Sequence, residues 1–209
     1  MYIPRAFAET DLARLHEQIE RTPLAILVSQ GADGLQASHL PLLLERGEGE
    51  RGTLYGHFAR GNPQWRALAD GGEVLLVFPG DEGYVSPGFY PGKGEHGRVV
   101  PTWNYVAVHA YGRVEVFDDR ERLLALVSRL SQHHEQDRAL PWAVSDAPAD
   151  YIAGMLRAIV GFAIPIERLE GKWKLSQNKD ERDRAGVRQG LAESPRDSER
   201  RLARQMAED

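Results

Sequence analysis

The 209-residue chain predicts a mainly β protein with added helices (α+β), its strands arranged as an antiparallel barrel. Three observations predict it. Short apolar runs recur along the chain and are separated by turn residues. The longest run, within 99–117, alternates between two unlike faces. The one Gly-x-Gly-x-x-Gly string, GKGEHG at 92–97, lies inside a glycine-rich loop between two strands and not between a strand and a helix, and no Gly-x-x-x-x-Gly-Lys-Ser/Thr string occurs, so neither a dinucleotide-binding βαβ series nor a P-loop has support.

Taken in order, Thr10 or Asp11 is placed to cap a first helix, with Leu12, Leu15 and Ile19 as its apolar stripe and Pro23 ending it. LAILVS at 24–29 reads as a strand, GADG at 31–34 as a turn, and 35–44 as the hairpin partner. TLYGHF at 53–58 is a third strand. Asn62 and Pro63 then open a short helix carrying Trp65 and Leu68. VLLVF at 74–78 is a buried strand, and residues 79–98, with six glycines and three prolines, read as an aromatic loop. After the long strand, Asp118 and Glu121 suggest a capping box for a helix over about 119–135. Asp146 precedes another helix, 160–166 alternates as a strand, and KWKLS at 172–176 is the last strand. No repeat and no long linker divides the chain. The expected organisation is a domain over 1–178 and a charged, partly helical extension over 179–209.

Composition narrows the chemistry. Cysteine is absent, which excludes disulfides, thiolate nucleophiles and Cys-based metal centres. MYIPRAFAET has no apolar core of a signal peptide and no run approaches a membrane span, so a cytoplasmic protein without membrane attachment is expected. The net charge of −5 argues against a broadly basic nucleic-acid coat, and 179–209 balances eight basic against eight acidic residues.

Four clusters could bear function. In HFARGNP at 57–63, backbone N–H groups at a helix start beside Arg60 would suit a phosphate; alternatively Asn62 only caps and Arg60 is solvated. In the loop at 79–98, Ser86, Tyr90, Lys93 and His96 could clamp a phosphate over a flat ring, or the aromatics could simply pin the loop. On the long strand, Trp103, Tyr105, His109, Tyr111 and Arg113 share one face and Val106, Val108, Ala110, Val114 and Val116 the other. A face of rings suits a planar cofactor or a second subunit. Asn104 has the opposite parity from Trp103. Finally, Lys172, Lys174 and Ser176 alternate with Trp173 and Leu175, as a cofactor-facing strand or as an edge blunted by lysine. His133-His134-Glu135 lacks metal-ligand spacing, so no metal is expected.

Ordered strings through nearly the whole chain resemble the PaiB family of FMN-binding negative transcriptional regulators. They include PLAILV at 23–28, SHLP at 38–41, GHFARGNPQW at 56–65, YVSPGFY at 84–90, VPTWNYVAVHAYG at 100–112, PWAVSDAP at 141–148 and GKWKLSQNKDERDRAGV at 171–187. The resemblance implies an antiparallel FMN-binding split barrel and a homodimer with FMN at its interface. Carried over by position, it places His39 and Pro41 beside the isoalloxazine and His57, Arg60 and Asn62 at the ribityl-phosphate end. Ser86, Lys93, Thr102, Trp103, Asn104 and Tyr105 lie in matching motifs, and Gln177 and Asn178 belong to a signature that closes the site. On this reading the TWNY end at 102–105 serves the flavin, while His109 and Tyr111 serve the dimer contact. Three positions depart from the family: Phe89 stands for tryptophan, Gly61 for alanine and Lys179 for arginine, the last losing a bidentate fork.

Three functions follow as expectations. The first is an FMN protein with a regulatory or redox role and a small-molecule redox partner, the flavin supplying the electron chemistry; no residue stands out as catalytic. The second is a DNA-binding repressor with structural or sensory FMN. Arg196, Arg200, Arg201 and Arg204 would serve it, although acids interrupt them. The third is haem binding or degradation, with His39, His57, His96 and His109 as candidate ligands.

Overall fold

The computed structural model describes residues 1–208. In chain order the elements are β1 (Ala8–Glu9), α1 (Leu12–Arg21), β2 (Leu24–Gly31), β3 (Gly34–Pro41), β4 (Leu43–Glu45), β5 (Thr53–Ala59), α2 (Gln64–Leu68) and β6 (Glu73–Val85). Then come α3 (Lys93–His96), β7 (Thr102–Arg113), β8 (Glu115–Phe117), α4 (Arg120–Glu135), α5 (Ala149–Arg157), β9 (Ile159–Pro165), β10 (Arg168–Lys174), α6 (Glu181–Ala192) and α7 (Asp197–Glu208). They form two compact units. The first holds Met1–Gln18, Pro79–Val108 and the chain from Glu170 onward; the second holds Ile19–Phe78 and His109–Leu169. Strands β6 and β7 each pass from one unit into the other.

In the second unit β2 and β3 form a tight hairpin, with Gly31 opposite Gly34 and Gly34 at φ +109°, a region that suits glycine. β2 also pairs antiparallel with β6, placing Ile26 opposite Val77. A further sheet has the order β4-β5-β9-β8. Leu27, Leu54, Phe58, Phe162 and Ile164 are fully buried, and the Phe58 and Phe162 rings meet at 4.9 Å. Leu123, Leu126 and Leu130 of α4 and Leu156 of α5 form one apolar cluster with Phe117. That stripe, at helical spacing, is why α4 holds its place.

In the first unit the strand order is β1-β10-β7-β6. Asp180 caps α6 by accepting from the Asp183 N–H at 2.8 Å. Val187 and Leu191 of α6 and Leu202 and Met206 of α7 are buried. A Cβ on Gly83 of β6 would come within 3.2 Å of Leu191 and Leu202, so the strand backbone approaches both helices closely.

Several expectations are corrected. Helix content is comparable to strand content, so the fold is mixed α and β in place of mainly β. The antiparallel sheets end on β1 and β3 and on β4 and β8 and do not close into a true barrel. A two-residue β1 and a three-residue β4 or β8 offer too few ladder bonds to bridge a gap. The run 35–44 splits at Leu42 between two sheets. β6 continues through Val85, well into the segment read as loop, since Gly80 and Gly83 sit where side chains from Val106, Leu191 and Leu202 crowd in. The long strand breaks at Val114, whose N–H turns to the Gly72 carbonyl at 3.1 Å. Asp119, not Asp118, caps α4, accepting from Arg122 N–H at 2.9 Å. β10 is an interior strand flanked by β1 and β7, which removes the blunted-edge reading of its lysines. Among the described residues, no helix is long and apolar enough to cross a membrane.

Candidate functional site

Five of the expected site residues lie in the second unit. His57 sits on β5 opposite Gly161 of β9. Its Nδ1 is buried with no hydrogen-bond partner among the described residues, and burial pulls its pKa below the ordinary 6.5. The ring is therefore neutral at pH 7. Arg60 donates from Nε to the Arg157 carbonyl at 2.8 Å and from Nη2 to the Ile159 carbonyl at 3.0 Å, with Nη1 3.7 Å from Asp118. It straps the end of β5 to the junction of α5 and β9.

Asn62 anchors a polar network. Its Oδ1 accepts from the Gln64 N–H at 3.0 Å and its Nδ2 donates to Ser38 Oγ at 2.9 Å. The Ser38 hydroxyl donates to Gln64 Oε1 at 2.6 Å, and Gln64 Nε2 donates to Ser29 Oγ at 2.9 Å and the Gln36 carbonyl at 3.3 Å. A Cβ on Gly61 would meet nothing within 4 Å, so the departure from alanine there is sterically neutral. His39 is exposed on β3 opposite Ile26, and Pro41 ends that strand opposite Leu24.

Ser86, Lys93, Thr102, Trp103, Asn104, Tyr105, Gln177 and Asn178 lie in the first unit. Lys174 brings two of them together. Its ammonium donates to Thr102 Oγ1 at 2.9 Å and to the Trp103 carbonyl, and its pKa is lowered by burial and then by Lys172 and Lys179. The Trp103 ring meets Tyr84 edge to face at 5.8 Å, and the two remain 46% and 41% exposed. Lys172 donates to the Tyr2 carbonyl at 3.0 Å and lies 5.0 Å from the Tyr105 ring centre.

The other residues of this group have local duties. Asn104 is fully buried on the face opposite Trp103 and donates to Ser176 Oγ at 2.9 Å. Gln177 folds back on its own turn, accepting from Leu175 N–H and donating to the Trp173 carbonyl, both at 2.8 Å. Ser86 Oγ accepts from Gly88 N–H at 3.1 Å, and Lys93 and Asn178 are exposed. Phe89 packs on α6, where a Cβ on Gly190 would lie 2.3 Å from its ring.

Ser29, Gln64 and Asp183 carry no signal of their own in the sequence, and the partners of Ser38 and Ser176 are equally hidden there. Each is a polar residue whose partner lies far along the chain. Gln64 directly follows the Asn62-Pro63 helix signal, which is the one local clue to its place.

The family described as "Putative FMN-binding domain" matches residues 1–168. The "Protease synthase and sporulation protein PAI 2" of Bacillus subtilis is 32% identical over 208 residues, covering 100% of this chain and 95% of that one. The chain belongs to the PaiB-like FMN-binding family. A further member, an uncharacterized protein of Aspergillus fumigatus, is 38% identical over 236 residues, covering 91% of this chain and 90% of its own. The PaiB-like fold is shared with two solved structures. The flavocytochrome Anf3 from Azotobacter vinelandii matches with a TM-score of 0.58 at 17% identity, over 88% of this chain and 78% of that one. The FAD and heme binding protein from Mycobacterium smegmatis matches with 0.53 at 20%, over 85% and 78%. These place the PaiB-like chain among split-barrel-like flavoprotein folds.

FMN is the cofactor of this PaiB-like chain, and its residues fit one. A flavin offers ring carbonyls, a ring N–H and ribityl hydroxyls. Within the matched residues, His57 Nδ1 in the second unit and Tyr90 Oη in the first are buried and have no hydrogen-bond partner among the described residues. Buried polar atoms are seldom left unpaired in a folded chain. Burial and the nearby Asp183 push the Tyr90 phenol up, keeping it protonated as a donor, and Lys179 lies 5.1 Å from its ring centre.

Proposed function

We propose that the chain is a homodimeric, PaiB-type protein that holds FMN at its subunit interface and exchanges electrons with a small redox partner. The supporting observation is the half-exposed Trp103–Tyr84 ring pair beside the Lys174 ammonium and Thr102 hydroxyl. Rings beside a fixed cation suit a flat, anionic cofactor. FMN when bound supplies one- and two-electron transfer. The chain's part is to stack, to hydrogen-bond and to neutralise charge. Trp103 offers the ring face, Lys174 the charge, and neutral His57 a hydrogen bond. His39, Pro41, Arg60, Asn62, Ser86, Lys93, Tyr105 and Asn178 complete the proposed set, with Asn104 and Gln177 as positioning residues.

The expected result is a yellow protein that elutes as a dimer, releases FMN on denaturation and is bleached by dithionite and recoloured by an electron acceptor. A colourless protein whose FMN titration shows no saturable fluorescence change overturns the proposal.

A regulatory reading is favoured by the name of the Bacillus relative, which refers to protease synthesis and sporulation. In that reading the redox state of FMN is the signal and DNA is the partner. A gel shift on one DNA sequence that survives about 150 mM salt supports it, and uniform loss of retardation on all DNAs counts against it. A haem reading draws on the two similar structures, a flavocytochrome and an FAD and heme binding protein, and on the exposed His39. A Soret band that disappears in His39→Ala would carry that reading.

A further inference from the structure

A cavity of about 640 Å³ is lined by α6 and α7, which lie beyond the residues matched by the FMN-binding family, and by Pro91 within them. Arg182, Arg188, Arg200 and Arg204 line it, over a floor that includes Ala203 and Ala207. Packing of the helix pair does not require these arginines, because Val187, Leu191, Leu202 and Met206 supply the buried faces.

Two of the four charges are already offset. Arg182 is bound to Glu95, and Arg200 is bound to Asp197 and donates to the Ser194 carbonyl at 2.7 Å. Arg188 and Arg204 are exposed and have no ion pair among the described residues. Like charges gathered at one groove repel one another, and a multiply charged anion relieves that cost. Guanidinium groups bind phosphate oxygens through paired N–H donors. A volume of about 640 Å³ falls in the ~300–1,000 Å³ range of small-molecule sites.

We propose that this groove binds an oligophosphate, either free or as the phosphate chain of a nucleotide, at a site separate from that of FMN. The small side chains of the floor let the phosphates reach all four arginines and leave a flat apolar surface for a base. Duplex DNA fits less well. Glu181 and Glu208 lie on the same two helices and Glu193 follows the first, and they would repel an extended backbone, whereas a compact ligand touches only the groove.

The test is calorimetric titration of the full chain with ATP, inorganic tripolyphosphate and inorganic phosphate, repeated with FMN in saturating amount. Saturable binding of ATP or tripolyphosphate is expected, roughly tenfold or more tighter than inorganic phosphate and indifferent to FMN. Equal affinity for ATP and tripolyphosphate assigns recognition to the phosphates alone, and tighter ATP adds the base. The double variant Arg188→Ala/Arg204→Ala should lose at least about tenfold in affinity with its melting temperature and FMN binding unchanged, while Arg138→Ala should lose none. The proposal is overturned by absence of saturable heat at millimolar ATP and tripolyphosphate, by an unchanged affinity in the double variant, or by competition from FMN. It is equally overturned if duplex DNA binds through Arg188 and Arg204 while both small ligands fail.

Discussion

Asn104 and Ser176 form a buried pair in which the amide Nδ2 donates to the hydroxyl at 2.9 Å and the hydroxyl lies 3.2 Å from the amide Oδ1. Ser176 holds this place with φ +66°, the one positive value on a non-glycine residue among those described. The left-handed region costs an L-residue about 1–2 kcal/mol, so the pair keeps the turn after β10 in a conformation it would otherwise leave. Asn104→Ala should destabilise by about 1–3 kcal/mol, since it strands a buried hydroxyl. Ser176→Ala should cost about as much, because it removes the bond and retains the strained φ. Ser176→Gly should cost less than Ser176→Ala, because it removes bond and strain together. Urea denaturation of the three variants gives the order directly.

Burial lowers the pKa of His57 from 6.5. The folded state then binds fewer protons than the unfolded chain wherever the pH lies between the folded value and 6.5. Stability accordingly rises with pH through that window, and it is lost as pH falls from about 6.5 toward the lowered value. His57→Gln should flatten this part of the profile, measured as melting temperature against pH between about 4.5 and 7.5. Protonation would also turn Nδ1 from a possible acceptor into a donor. FMN affinity should therefore change over the same pH range in the parent and not in the variant.

Gln64 is 2% exposed and bonds to Ser38, Ser29 and the Gln36 carbonyl. Gln64→Leu keeps the volume and strands those partners, at about 1–3 kcal/mol for each group left unpaired. Such a loss should loosen β3 and with it His39. Gln64→Glu retains Oε1 as an acceptor but loses the donor to Ser29, so it should fall between the two. Amide exchange along β2 and β3 is the measurement, with faster exchange expected in the order parent, Gln64→Glu, Gln64→Leu.

The strands and helices with strong period are legible in the sequence. The two faces of β7 emerged from its alternation, and the burial of Val106, Val108 and Ala110 follows it. Parity alone separates the buried Asn104 from the half-exposed Trp103. Local signals failed where glycine has a tertiary cause. Gly80 and Gly83 look like loop punctuation, yet they are strand positions that lack room for a Cβ. Buried polar pairs are invisible for a related reason: Ser176 is 72 positions from Asn104, and nothing local in either motif marks one as the other's partner. Family resemblance supplied the flavin, and the structure supplied what the resemblance could not, the ammonium of Lys174 between Thr102 and Trp103.

The helix α6 carries Gly186 and Gly190 one turn apart, both facing Phe89. Glycine inside a helix costs about 1 kcal/mol relative to alanine, so a Gly→Ala change should stabilise wherever a Cβ has space. Gly154 of α5 is such a place, its nearest neighbour being an Arg157 side-chain nitrogen at 3.8 Å. Gly154→Ala should therefore raise stability by about 0.5–1 kcal/mol. Position 186 behaves in the opposite way, since the new Cβ would stand 2.2 Å from the Phe89 carbonyl oxygen, a backbone atom that cannot swing aside. At Gly190 the obstruction is the Phe89 ring, which can rotate. Destabilisation should thus be larger for Gly186→Ala than for Gly190→Ala. Combining Gly190→Ala with Phe89→Ala should recover most of the steric loss at 190, and combining Gly186→Ala with Phe89→Ala should recover little, because the carbonyl remains. Thermal melts of the five variants decide it, and equal effects at 186 and 190 would show that the ring and not the backbone sets the approach of α6.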